Sequence, residues 1–166
     1  MHRPIIPNAT YFMTCVTYQR QRTLADPAFA QLVVDQWRHY EAAHGFQLHT
    51  YCVMPDHYHT IVTVGKHKTV SQILHAVDSY TATLINRQLG RAPKTPVWQG
   101  HPWDQVIRTE EMYWQEVAYV LLNPWREGLV SSPLEPYPFS DLSVWLEQKG
   151  EEFLQELFGR HKRWHE

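Results

Sequence analysis

Apolar and polar residues follow a strand-like pattern in four short stretches of this chain and recur at helical spacing in the segments between them. Residues 10–18, Thr-Tyr-Phe-Met-Thr-Cys-Val-Thr-Tyr, are aromatic and β-branched and predict a first strand. Asp26-Pro27 offers an N-cap with proline at the first helical position. Phe29, Leu32, Val33, Trp37 and Tyr40 then share one face of a helix that runs to about His44, with Gly45 where a terminating glycine belongs. Residues 46–54 and 57–64 predict strands two and three, parted by a tight break at Pro55-Asp56. A second helix over about 70–89 carries Ile73, Val77, Tyr80 and Leu84 as its apolar stripe, and a basic loop follows at 90–95. Residues 103–108 predict strand four. Thr109-Glu110-Glu111 opens a third helix with acidic residues where the macrodipole favours them, and Pro124 is expected to end it. An irregular crossing at 133–138 leads to a last helix over 141–158, and 159–166 reads as a frayed end.

The resulting order is β-α-β-β-α-β, then a helix and a helical tail. That is the ferredoxin-like order, an α+β architecture with a four-stranded antiparallel sheet and two helices on one face. One domain is expected overall, with residues 1–130 as its functional body and 131–166 as a tail packed on or beside it.

Composition changes this picture little. The chain has 166 residues, 43% hydrophobic and 19% charged, which suits one folded domain with a real core. No apolar run is long enough to span a bilayer, and the first residues lack the apolar core of a signal peptide. Cys15 and Cys52 lie in apolar, strand-like runs and read as reduced, buried thiols in a cytosolic protein. The net charge of −2 does not advertise a nucleic-acid binder, but its distribution says more. Between residues 66 and 108 six basic side chains face two acidic ones, whereas from residue 131 onward seven acidic face four basic. A locally basic surface with an acidic tail is compatible with a phosphate backbone as partner.

The candidate chemistry lies at His57-Tyr-His59. Side chains alternate along a strand, so the two imidazoles point one way and Tyr58 the other. On the third helix, at about 100° per residue, Trp114, Val117 and Leu121 fall within about 60° of one another as a core stripe. Tyr119 and Asn123 share a different face, one turn apart, whereas Tyr80 and Tyr113 fall on or near apolar stripes and are assigned to the core. Two histidine nitrogens and an amide oxygen are three neutral ligands, and they leave positions open on Mg²⁺ or Mn²⁺ for phosphate oxygens and water. Tyr119 beside such an ion is a candidate nucleophile, because the metal makes the phosphorus more electrophilic and covalent attack divides one hard step into two. Glu116 lies close to the same face and is the candidate base.

Met54-Pro-Asp-His-Tyr-His59 resembles the histidine–hydrophobic–histidine motif of the single-tyrosine (Y1) HUH transposases. Tyr80-Thr81, Ile85-Asn86-Arg87, Gly90-Arg91, Val97-Trp98-Gln99, Tyr137-Pro-Phe-Ser140 and above all Tyr119-Val-Leu-Leu-Asn-Pro-Trp-Arg-Glu-Gly-Leu-Val130 look like the branch associated with repetitive extragenic palindromes. The resemblance covers residues 10–141 and implies a ferredoxin-like HUH domain that cleaves and rejoins single-stranded DNA beside a hairpin. It implies Tyr119 as nucleophile, forming a 5′-phosphotyrosine, and His57, His59 and Asn123 as ligands of a divalent metal. It also implies recognition of a hairpin plus a short guide sequence, with no membrane role. This branch tends to be monomeric. The chain departs from the pattern in its large aromatic Tyr58 and its acidic balance.

Arg20, Arg22, Arg87, Arg91, Lys94, Arg108 and Arg126 are the candidate DNA contacts, with a solvated surface role open to each. Trp98 and Trp103 can stack unpaired bases, although core burial is the leading expectation for both. The acidic stretch 147–156 is placed to lie over a basic channel and restrain it. Two other functions fit the same residues: a hairpin-binding protein without turnover, and a metal-dependent phosphodiesterase that releases free product. A pure binder has no use for His57, His59, Tyr119 and Asn123 together.

Overall fold

The fold was obtained as a computed structural model that describes residues 8–161. Its elements follow the chain as β1 (Thr10–Val16), α1 (Pro27–His44), β2 (Gln47–Met54), β3 (His57–Thr63), α2 (Val70–Gln88), β4 (Trp103–Ile107), α3 (Glu110–Arg126), α4 (Leu142–Lys149) and α5 (Glu151–His161). Two short 3-10 turns, Tyr18–Arg20 and Thr23–Ala25, lead from β1 into α1. The strands form one antiparallel sheet in the order β2-β3-β1-β4, the ferredoxin-like arrangement that the element order predicts.

Strand alternation divides the core into two layers. Tyr11, Met13, Cys15, Val53, Tyr58 and Val62 point to α1 and α2 and pack with Val33, Trp37, Ile73, Val77 and Ile85. Phe12, Cys52, Met54 and Ile61 point the other way, to α3 and the tail, where they meet Val117, Leu121, Leu142, Leu154 and Phe158. The free thiols of Cys15 and Cys52 are therefore buried on opposite faces and do not meet.

The starts of the first two helices and the end of α1 are built from residues that the sequence displays. The Asp26 side chain accepts from the Ala28 N–H, and Gly45 closes α1 in a left-handed conformation. Thr69 and Gln72 form a reciprocal capping box on α2. Two boundaries differ from expectation. Pro124 lies inside α3, because the helix stops only two residues later and loses a single hydrogen bond to the proline. The true stop is Gly128 at φ 75°, with Gly128 N–H bonded to the Trp125 carbonyl and Leu129 N–H to the Pro124 carbonyl. That is the Schellman pattern. The predicted last helix is two helices, since Gly150 takes φ 89°, ψ 161°, a conformation that suits glycine and interrupts the helical hydrogen bonds. Gly159 belongs to α5, and the remainder of the predicted frayed end, 162–166, lies outside the described residues.

Two aromatic assignments also change. Tyr80 is 45% exposed, because the buried line of α2 drifts to Thr81 and Ile85 to meet the 90–98 loop, where Trp98 Nε1 donates to Thr81 Oγ1. Trp98 packs against the core, but Trp103 is 52% exposed on the edge strand β4. The acidic tail does not cover the basic loop. α4 and α5 bury Leu142, Trp145, Leu154, Leu157 and Phe158 on the α3 side of the sheet, whereas Arg87, Arg91 and Lys94 belong to the layer of α2.

The tail also covers a sheet edge. Val53 N–H donates to the Phe139 carbonyl, Cys52 bridges to Ser140, and the Tyr137 hydroxyl donates to the Val53 carbonyl. Asp141 anchors this strap, its carboxylate accepting from Thr50 Oγ1 at 2.7 Å, Tyr51 N–H at 3.2 Å and Trp145 Nε1 at 3.2 Å. Without such cover, β2 would present open backbone groups to other chains.

Candidate active site

β3 begins at His57, beside the Pro55-Asp56 turn, so both histidines stand at one end of a central strand and on its α3 face. Their ring centroids are 4.8 Å apart, and both side chains are buried. Each has one nitrogen held. His57 Nδ1 lies 2.6 Å from Asp56 Oδ1, and Arg20 Nη1 reaches the other oxygen of Asp56 at 3.4 Å. Burial alone would raise the Asp56 carboxyl, but the hydrogen bond and charge of His57, with Arg20 behind, bring it below the usual range. His59 Nδ1 lies 2.8 Å from Thr14 Oγ1, directly across the β1–β3 pair. Burial, with the His57 charge second, lowers the His59 imidazole to about 3, so it is neutral at physiological pH.

α3 crosses this end of the sheet. Tyr119 meets the His59 ring at 5.2 Å and the Phe12 ring at 5.8 Å, and Phe12 in turn stacks on His59 at 5.4 Å. Tyr119 and Asn123 share a face, as the helical count requires, but that face is not free of the core. α3 lies between sheet and tail, so residues 117, 118 and 120–124 are all buried and Tyr119 is half-buried. Burial raises the Tyr119 phenol. The Arg126 charge lowers it, Glu127 and Glu116 raise it, and a hydrogen bond with the Asn123 side chain lowers it again, with a net rise. The hydroxyl is therefore protonated at neutral pH, and nucleophilic use of it requires a base. Glu116 is half-buried, and its own carboxyl is raised by that burial.

Two atoms here lack hydrogen-bond partners. His59 Nε2 and Asn123 Oδ1 are fully buried and unpaired, a costly condition for polar atoms in a protein interior. Each is a donor that a divalent cation accepts: the amide oxygen suits a hard ion such as Mg²⁺ or Mn²⁺, and the neutral imidazole adds a nitrogen ligand. Asp56 and Thr14 supply the outer hydrogen bonds that orient metal-bound histidines elsewhere. His57, His59 and Asn123 thus fit the group that the sequence reading assigns to them.

The candidate DNA contacts divide into three sets. Arg20 reaches the site through Asp56, and Arg126 acts on Tyr119 through its charge. Arg87, Arg91 and Lys94 instead line a cleft of about 670 Å³ between α2 and the following loop, in the other layer. Arg22 and Arg108 are exposed. Tyr113, assigned to the core, is only part-buried and lies 3.1 Å from His49 Nδ1. Sequence reasoning missed Thr14, Asp56 and Phe12. Asp56 adjoins the histidine motif and was visible as a hydrogen-bond acceptor, whereas Thr14 and Phe12 are identified only by strand register.

A histidine pair thus stands on a central strand of a ferredoxin-like sheet, with Tyr119 of a crossing helix against His59 and Asn123 one turn further along that helix. The family described as IS200-like transposases matches residues 6–112, more than half of the chain, and the chain belongs to it. Membership supports a transposase-like role in DNA processing. The fold is shared with a REP-associated tyrosine transposase solved bound to a REP hairpin, at TM-score 0.70 and 20% identity over 91% of this chain and 87% of that one. A second structure, of a candidate transposase from Deinococcus radiodurans R1, aligns at TM-score 0.53 and 18% identity over 72% of this chain and 94% of that one. No curated protein matches the chain. No helix among the described residues is long and apolar enough to cross a membrane.

Proposed function

We propose that this chain is a metal-dependent single-stranded DNA endonuclease and strand transferase that cuts and rejoins DNA beside palindromic hairpins. The observation that carries the reading is the pair of buried, unpaired ligand atoms, His59 Nε2 and Asn123 Oδ1, on the two elements that bring Tyr119 against His59. The Tyr119 oxygen attacks the scissile phosphorus, and the bond from phosphorus to the 3′ oxygen breaks. The phenol proton passes to a base, for which Glu116 is the candidate, and the departing oxygen takes up a proton as a 3′-hydroxyl. The product is a 5′-phosphotyrosine on Tyr119. Attack by another 3′-hydroxyl reverses the sequence, so bond energy is conserved and no nucleotide triphosphate is consumed. A divalent ion held by His57, His59 and Asn123 supplies Lewis acidity to the phosphate oxygens when bound.

Arg20, Arg22, Arg87, Arg91, Lys94, Arg108 and Arg126 hold phosphates in this reading, which requires them exposed, as they are. Tyr119 meets the histidine of its own chain, which supports action as a monomer. Residues 1–130 supply every assigned catalytic and metal-binding residue, and the tail supports α3 from behind. The expected setting is the bacterial cytoplasm, at the nucleoid.

The test is a cleavage assay with labelled single-stranded oligonucleotides that carry hairpins from the protein's own genome, in Mn²⁺, Mg²⁺ or EDTA, beside Tyr119→Phe. The expected result is a covalent protein–DNA adduct that requires metal and is absent from Tyr119→Phe. Binding without any adduct in either metal would leave a hairpin-binding protein, and cleavage without an adduct would leave a phosphodiesterase.

A further inference from the structure

Trp103 is exposed where a tryptophan gains least from exposure. Among the described residues Trp37 and Trp145 are buried and Trp98, Trp114 and Trp125 are partly so, while Trp103 presents 52% of its surface to solvent. Its position is not peripheral. Trp103 pairs with Thr14 in the β1–β4 register, and Thr14 is the residue that holds His59. Its ring edges onto Phe12 at 5.6 Å, and Phe12 meets both His59 and Tyr119. Trp103 is thus the outermost ring of an aromatic row that ends at the candidate nucleophile. Gln105, two residues along the strand and on the same face, is also exposed, as is His101 just before it. A single large aromatic ring in polar surroundings suits a small planar partner rather than a broad apolar protein surface.

We propose that Trp103 is a stacking platform for an unpaired nucleobase one or two nucleotides from the phosphate that Tyr119 attacks, with Gln105 beside it to meet the base edge. The proposal rests on the single-stranded DNA reading of the site. One aromatic ring, Phe12, separates Trp103 from Tyr119, a gap that an unstacked nucleotide spans. Stacking on an exposed indole is tolerant of base identity, because every base has a π-face, and Gln105 adds a hydrogen-bonding group that can discriminate.

The test uses hairpin oligonucleotides with 2-aminopurine or an abasic nucleotide placed in turn at each position near the cut, bound to Tyr119→Phe protein so that no turnover intervenes. Quenching of 2-aminopurine is expected at one position, lost in Trp103→Ala and kept in Trp103→Phe. Trp103→Ala is expected to lower affinity for the intact strand by about five- to a hundredfold, and to lose nothing further on the strand abasic at that position. Equal quenching and equal affinity with and without the indole, in protein of unchanged far-ultraviolet circular dichroism, would overturn the proposal. So would a Trp103→Ala effect confined to self-association in sedimentation. Because binding is read without catalysis, absence of a Tyr119 adduct would count against strand transfer alone, whereas absence of any DNA binding would remove both readings.

Discussion

Thr14 and His59 face each other across the β1–β3 pair, with Thr14 Oγ1 at 2.8 Å from His59 Nδ1. In the tautomer with its proton on Nδ1, the ring donates to Thr14 Oγ1 and leaves the Nε2 lone pair free for a ligand. Removal of that hydrogen bond leaves the ring free to change tautomer and tilt. Thr14→Val is therefore expected to weaken Mn²⁺ binding about 10–100-fold with little change in fold, as outer hydrogen-bond partners of metal-bound histidines do. Titration calorimetry against Mn²⁺ measures this, and an unchanged affinity would show that Thr14 does not orient the ligand.

Asn123 carries a cost in the metal-free protein, because its buried Oδ1 has no partner. Asn123→Ala removes the orphan acceptor at the expense of a small cavity and of the hydrogen bond with Tyr119, so unfolding in EDTA is expected within about 1 kcal/mol of the parent. If the proposed metal site is right, the parent is expected to gain about 2.7 kcal/mol at a metal concentration a hundredfold above its dissociation constant, and the variant far less. Thermal melts with and without Mn²⁺ separate the two effects. An equal gain in both proteins would exclude Asn123 as a ligand.

Asp141 holds the tail strap to the edge of β2 through Thr50, Tyr51 and Trp145. Asp141→Ala strands two buried donors and releases the backbone of Tyr51. The expected loss is about 2–4 kcal/mol in urea unfolding, together with a changed environment for Trp145 in near-ultraviolet circular dichroism. A loss below about 0.5 kcal/mol would mean that apolar packing alone seats the tail.

Asp78 gives a pH dependence of known sign. Its carboxyl accepts from the Tyr58 hydroxyl at 2.7 Å and lies 3.5 Å from Cys15 Sγ, yet burial outweighs both hydrogen bonds and lifts it to about 7. The folded state therefore binds this proton more tightly than the unfolded chain, and its contribution to stability falls as pH rises from the ordinary carboxylate range to about 7. Asp78→Asn keeps an acceptor for Tyr58 and removes the charge. It is expected to flatten the stability profile between pH 4 and 7 and to gain about 1–2 kcal/mol at pH 8. A parallel pH profile in parent and variant would contradict this assignment.

The fold was legible because each local signal agreed with its neighbours. Strand alternation, the Asp26 cap and Gly45 all mark boundaries that the structure keeps. Pro124 misled because proline reads as a stop, while the effective stop is a glycine four residues later whose role depends on a positive φ. Tyr80 misled because a stripe drawn at fixed angles cannot foresee the loop that turns α2 toward Trp98. In the candidate site, the shared face of His57 and His59 and that of Tyr119 and Asn123 follow from local spacing within one strand and one helix, while their joint assignment rests on the family resemblance. Thr14 and Phe12 come from a third segment, and only the pairing of β1 with β3 assigns them.

The strap over β2 has a consequence for how the site comes apart. His57 and His59 sit on a central strand with neighbours on both sides, whereas Tyr119 and Asn123 ride on a helix whose outer surface is closed by α4 and α5. Amide hydrogen exchange should register this as two cooperative units, with α3 opening alongside the tail well before the sheet does. Shortening or loosening the carboxyl-terminal helices is then expected to separate Tyr119 from the imidazoles without disturbing either motif. The last quarter of the chain, which holds none of the proposed site residues, is then expected to set the temperature at which the site comes apart.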